Sequence, residues 1–242
     1  INSPMNNGFE YITYHFFYNT PDHFKYRLEF SSLDWEITPS DEKEILPWAE
    51  LGFHQCQHCP LNDQEKLCPL AKQLAHLSIA LPNFDLDLET VIRVETRARI
   101  YEKRAPVGFG LQSLLGLIYA SSNCPHLHFF KPMARFHLPF ATEEENLFRV
   151  FASFALFNSM SKSTGLMYKL QDLKEIYQNL HIINKAMYAR IEAGAEQGAT
   201  VNALLLLDSL SQSMISSIDG VFDKIQNYFV AINTLEKESS LR

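Results

Sequence analysis

The apolar residues of this chain change their period at Pro106, and that change limits the fold more than any other feature. Before it they recur at every second position. In "HFKYRLEF" the side chains Phe24, Tyr26, Leu28 and Phe30 alternate with Lys25, Arg27 and Glu29, the pattern of a strand with one covered and one wet face. "FEYITYHFFY", ended by Pro21, predicts a second strand, and Trp35 to Ile37 a short third. "TVIRVETRARIYEKR" predicts one long strand with Ile92, Val94, Ala98 and Ile100 on one face and Arg93, Glu95, Arg97, Arg99 and Tyr101 on the other. Two helices interrupt this part: a short one opened by Ser40, Asp41 and Glu42, and "CPLAKQLAHLSIAL", which Pro82 stops.

After Pro106 the spacing becomes three and four. "GLQSLLGLIYASS" predicts an apolar helix, and "HLHFFKPMARFHLPF" an extended or looped connector broken by Pro132 and Pro139. Thr142 with Glu145 three residues later forms a capping box, opening a helix over "TEEENLFRVFASFALFNSM". Two long seams then follow. One runs through Leu170, Leu173, Tyr177, Leu180, Asn184, Met187 and Ile191; the other from Leu204 through Ser211, Met214 and Ile218 to Leu235. Gly194 and Gly198 separate them, which predicts an antiparallel helical hairpin, and Asn184 in the seam sets its register. The class is therefore α+β: an antiparallel-sheet region over 5–105 carrying a cysteine loop at 53–71, then a helical region over 106–242 that can share one core with the first.

The composition places this fold among globular proteins, since 46% of the 242 residues are hydrophobic. A formal charge of −7 argues against general attraction to nucleic acid or an anionic membrane surface. No apolar run long enough to span a bilayer and no secretory signal pattern is visible, so the cytoplasm is the expected compartment.

Against that background "FHQCQHCPLNDQEKLCPLA" stands out. It holds three of the chain's four cysteines. Cys56-x2-Cys59 is a metal-knuckle spacing, because two thiolates three residues apart in a turn can reach one ion. Cys68 is near enough in sequence to join them. Cys124 completes an all-cysteine set, and His54 or His58 would complete it locally. Proline follows Cys59, Cys68 and Cys124, as it follows the last cysteine of one ferredoxin run, which favours common use of all four. The expected cofactor is zinc or a [4Fe-4S] cluster. Four cysteines are too few for a disulfide scaffold, and a thioredoxin-like motif would need a βαβ context that is missing.

A second candidate is a basic and aromatic anion site. Lys131, Arg135 and His137 lie among phenylalanines, and Arg93 and Arg97 share a strand face, so together they could hold an anionic small molecule. The sheet-face arginines also have glutamates for neighbours, which would neutralise them in solvent. No G-x-S-x-G, H-E-x-x-H or P-loop occurs, so nothing nominates a catalytic residue. The sequence thus points to a metal-binding regulatory or scaffolding protein whose C-terminal helices join a partner or a second copy. An iron–sulfur redox protein or sensor, and a receptor or enzyme for an anionic small molecule, are the alternatives.

Overall fold

A computed structural model describes residues 10–18, 23–38, 45–62, 64–161, 170–194, 199–218 and 220. Four strands, β1 (Glu10–Phe17), β2 (Phe24–Phe30), β3 (Glu89–Thr96) and β4 (Ile100–Pro106), form one antiparallel sheet in the order β2-β1-β3-β4. The alternation seen in the sequence sets its two faces. Tyr14 sits opposite both Tyr26 and Val94, and Phe16 opposite both Phe24 and Ile92, all of them buried. On the other face Arg93 pairs with Glu102 at 2.7 Å and Arg27 with Glu29 at 2.9 Å. This face is solvated and neutralises its own charges.

The long strand expected over 90–104 is instead a hairpin. Thr96 closes it: its hydroxyl accepts the N–H groups of Ala98 and Arg99 and donates to the Arg99 carbonyl, while its own N–H donates to that same carbonyl. Arg97 and Ala98 are therefore at a turn, and Ile100 is 62% exposed on an edge strand. Trp35 to Ile37 contributes a single bridge, Ile37 to Phe30. The helix expected at Ser40 to Glu42 lies outside the described residues, as does the second seam from Val221 onward.

The helices are α1 (Pro69–Ala80), α2 (Val107–Ser121), α3 (Lys131–Arg135), α4 (Glu143–Ser161), α5 (Leu170–Gly194) and α6 (Ala199–Ile218). α2 is apolar nearly all round because it is central. One side lies on the sheet, where a Cβ at Gly110 would meet Phe16 at 2.6 Å and Ile92 at 2.7 Å; other sides meet α1, α3 and α6. Gly108, Phe109 and Gly110 thus form the first turn of a helix pressed onto strands. The connector after Asn123 is helical, with a 3-10 helix over Pro125–Phe130 running into α3. Pro125 and Pro132 fall in the first positions of these turns, where they start helices, while Pro139 lies in the turn ahead of α4.

Thr142 and Glu145 make the reciprocal capping bonds, at 2.8 and 3.2 Å. α5 and α6 pack as an antiparallel hairpin, and Asn184 donates across it to Asp208 at 2.8 Å and Ser211 at 3.3 Å. His181 also bonds Asp208, at 2.9 Å. One cluster of buried side chains contains residues from both sides of Pro106. No helix among the described residues is long and apolar enough to cross a membrane.

Candidate functional site

The cysteine loop is closed at its base by backbone pairing. Glu50 bridges Leu67, the Leu51 N–H donates to the Lys66 carbonyl at 3.0 Å, and the Cys68 N–H to the Ala49 carbonyl at 2.9 Å. At the loop's far side the Cys59 N–H donates to the Cys56 carbonyl at 3.0 Å, which turns the C-x2-C pair. Cys68 is the residue on which α1 begins, with Pro69 in the first turn. Cys124 does the same for the 3-10 helix that Pro125 starts. These two Cys-Pro dipeptides therefore work as helix starts, with proline supplying the preset φ and the cysteine left at the end that favours negative charge, whereas Cys59-Pro60 starts no helix.

A histidine pair ties Cys124 to the loop. The ring of His126 stacks on His58 with centroids 4.1 Å apart, and its Nε2 lies 2.8 Å from the His58 carbonyl oxygen. The four thiols come within electrostatic reach of one another in every pairing. The Cys124 thiol is raised to about 12, first by burial and then by the charges of Cys68, Cys56 and Cys59. Cys56 is pushed up to about 11 by burial, then by Cys68 and Cys59, and burial likewise raises Cys68. Opposing this, the backbone N–H groups of Ala71 and Leu70 act on Cys68, and that of His126 on Cys124. The charges acting on His58 come from His126 and not from the thiols; His54 is exposed, at φ 45°. The thiols are neighbours rather than ligands in position: among the described residues no group of three or more His, Cys, Asp or Glu side chains stands ready to hold an ion.

Two buried donors without acceptors lie within electrostatic reach of the thiols. Arg190 of α5 is 1% exposed. Its Nη1 donates to the carbonyls of Trp48 (2.9 Å) and Glu50 (2.6 Å), and its Nη2 to that of Leu51 (2.8 Å). Its Nε–H has no partner, and the charges that act on the guanidinium are Cys68, Cys56 and Cys59. α5 can approach this closely because Gly194 faces Trp48, where a Cβ would meet the Trp48 Cβ at 2.6 Å and the indole at 2.7 Å. Tyr119 of α2 is 3% exposed, and its hydroxyl is likewise unbonded. Burial raises it well above the usual tyrosine range, followed by the charges of Cys56, Cys68, Asp208 and Cys124. A buried donor without an acceptor costs about 1–3 kcal/mol. An anionic acceptor among the thiols would satisfy both, and a metal bound by four thiolates is such an acceptor.

Residues 12–230 match the family model described as "Domain of unknown function (DUF6901)". The chain belongs to this family. No curated protein and no solved structure matches it. The part matched to DUF6901 includes all four cysteines, Tyr119 and Arg190.

Sequence reasoning missed both donors. For Arg190 a signal existed, because it continues the apolar row of Ile183 and Met187 at spacings of four and three, an unusual place for a charge. Tyr119 looked like one more apolar residue of α2.

The expected anion site does not assemble as a set. Arg93 is paired with Glu102, and Lys131 with Glu36 at 2.6 Å. Arg97, Arg135 and His137 do line one cleft. Arg135 lies over the Trp35 ring at 4.4 Å, and the Tyr14 hydroxyl sits 2.6 Å from His137 Nε2. Burial, then the Arg149 charge, lowers His137 to about 3, so its ring is neutral, and its Nε2 shares a hydrogen bond with the Tyr14 hydroxyl.

Proposed function

We propose that this chain is a cytoplasmic metal-binding protein, regulatory or scaffolding in role, whose Cys56, Cys59, Cys68 and Cys124 hold one zinc ion or one [4Fe-4S] cluster. The observation that supports this most is the pair of orphaned buried donors, Arg190 Nε–H and Tyr119 O–H, set beside four mutually interacting thiols. Four thiolates on a divalent ion, or on an oxidised cubane, leave a net negative centre. The buried guanidinium then has its counter-charge. The bound centre supplies a strong cross-link and, as a cluster, a site for one electron. Cys68 and Cys124 would be held by the starts of two helices, Cys56 and Cys59 by the loop turn, and Arg190 by three carbonyls of the segment that leads into the loop. Binding would release thiol protons, so affinity falls as pH falls. The C-terminal helices are the proposed surface for a partner or a second copy, on the strength of the long apolar seam in the sequence.

Elemental analysis of anaerobically purified protein tests the centre. The expected result is about one zinc per chain, or iron and acid-labile sulfide in equal amounts, lost in Cys124→Ser and in Cys56→Ser. Far-UV circular dichroism should still show the sheet and helices in these variants, while the thermal midpoint drops. Wild-type protein that stays metal-free after anaerobic reconstitution with zinc, or with iron and sulfide, would refute the proposal.

A further inference from the structure

The tip of the β3–β4 hairpin and the segment from α3 to α4 enclose a cleft of about 560 Å³, a size usual for small-molecule sites. Among the described residues four arginines line it, Arg97, Arg99, Arg135 and Arg149, against one acidic residue, Glu10. In a chain of formal charge −7 this is a concentrated reversal of sign.

The arginines are also largely uncommitted. Arg97 reaches Glu10 only at 3.5 Å. Arg135 offers its face to Trp35 and keeps its edge free. Arg149, deeper in the wall, donates Nη2 to the neutral carbonyls of Met133 and Phe136, and burial lowers its pKa. Among the described residues the Arg99 side chain has no hydrogen-bond or ion-pair partner. Guanidinium forks match phosphoryl oxygens in shape as well as charge, and the three positive charges of Arg97, Arg99 and Arg149 exceed the charge of about −2 on one phosphate monoester. Phe136, 75% exposed at the rim, and Tyr101 add an apolar platform beside the charges.

We propose that this cleft binds a small organic diphosphate. Its phosphoryl oxygens are held by Arg97, Arg99 and Arg149, and its organic part lies against Phe136 and Tyr101. His137 forms part of the wall but stays neutral, so the arginines carry the recognition. No cysteine lines the cleft, and the site stands whether or not the thiols hold a metal.

Titration of the purified chain with ADP, inorganic pyrophosphate and adenosine tests this, read by calorimetry and by the fluorescence of Trp35 under Arg135. ADP and pyrophosphate should bind, adenosine should not, and salt at about 0.5 M should weaken both. Arg97→Ala and Arg99→Ala, both at the exposed turn, should each weaken ADP about tenfold with unchanged circular dichroism. Arg104→Ala, on β4 outside the cleft, should leave affinity unchanged. Absence of saturable binding by ADP and pyrophosphate, wild-type affinity in the Arg97→Ala/Arg99→Ala double variant, or binding only to vesicles containing a phosphoinositide would overturn the proposal.

Discussion

Arg93 and Arg190 carry the same charge into opposite surroundings. Arg93 stands on the wet face of the sheet, its guanidinium 2.7 Å from the Glu102 carboxylate and both side chains nearly half exposed. Water screens that pair, so removing either partner costs little. Arg190 is enclosed between α5 and the cysteine loop and donates to three carbonyls, of which that of Glu50 also accepts the Phe53 N–H at 3.2 Å. Its loss takes that donor from the carbonyls of Trp48 and Leu51, and the groups whose charge would favour it are, among the described residues, Cys68, Cys56 and Cys59 once ionised. The visible ion pair thus matters less to the fold than the arginine without a carboxylate. Short distances between opposite charges do not rank interactions; burial and the fate of the remaining polar groups do.

Arg190→Ala breaks this comparison most severely. It should cost about 3–5 kcal/mol in denaturant unfolding, the range for removing one member of a buried polar network. Arg190→Lys keeps the charge but cannot fork to Trp48, Glu50 and Leu51, so it should recover only part of that loss. If the thiols bind a metal, both variants should also hold it more weakly. An Arg190→Ala chain as stable as wild type would mean that water satisfies the carbonyls and that the contrast with Arg93 is empty.

What the sequence revealed divides along the same line. β2 was legible because its alternation is local and its burial follows the alternation residue by residue. The Thr142–Glu145 box was legible because both capping bonds lie within four residues. The β3–β4 hairpin was not, since Thr96 to Arg99 turns the chain through a threonine side chain rather than through Gly, Asn or Pro, and the alternation runs on through the turn. The connector after Cys124 misled for a related reason: proline breaks a helix from within but starts one at its first turn, and only the fold says which applies. Cysteine spacing nominated the four thiols. Arg190 and Tyr119 reach them from α5 and α2 across sequence separations that no local pattern encodes.

His137 tests the interior at intermediate size. Its pKa in the fold is about 3, against 6.5 for an unburied histidine. The unfolded chain therefore takes up a proton below pH 6.5 that the folded chain refuses until pH approaches 3. Stability from this group is complete above pH 6.5 and is lost as pH falls through that window, by about 3 kcal/mol at pH 4. Burial explains the sign, since it penalises the charged ring, and the Arg149 charge acts in the same direction. His137→Gln, which keeps an acceptor but does not titrate, should flatten the decline of the thermal midpoint between pH 6.5 and 4. An unchanged slope would place the acid sensitivity in the carboxylates instead.

The smallest effect belongs to the exposed pair, where a near-zero answer is the informative one. A double-mutant cycle on Arg93→Ala and Glu102→Ala should give a coupling of about 0.5 kcal/mol at low ionic strength, falling further in salt. Arg93 also lies 5.3 Å from the Phe17 ring, so the single Arg93→Ala variant loses a cation–π contact that the cycle cancels and should cost more than Glu102→Ala. A coupling of 2 kcal/mol or more, roughly the worth of a desolvated charge pair, would mean that something covers this face of the sheet in solution. The wet face would then be an interface, and its arginine would belong with Arg190 rather than opposite it.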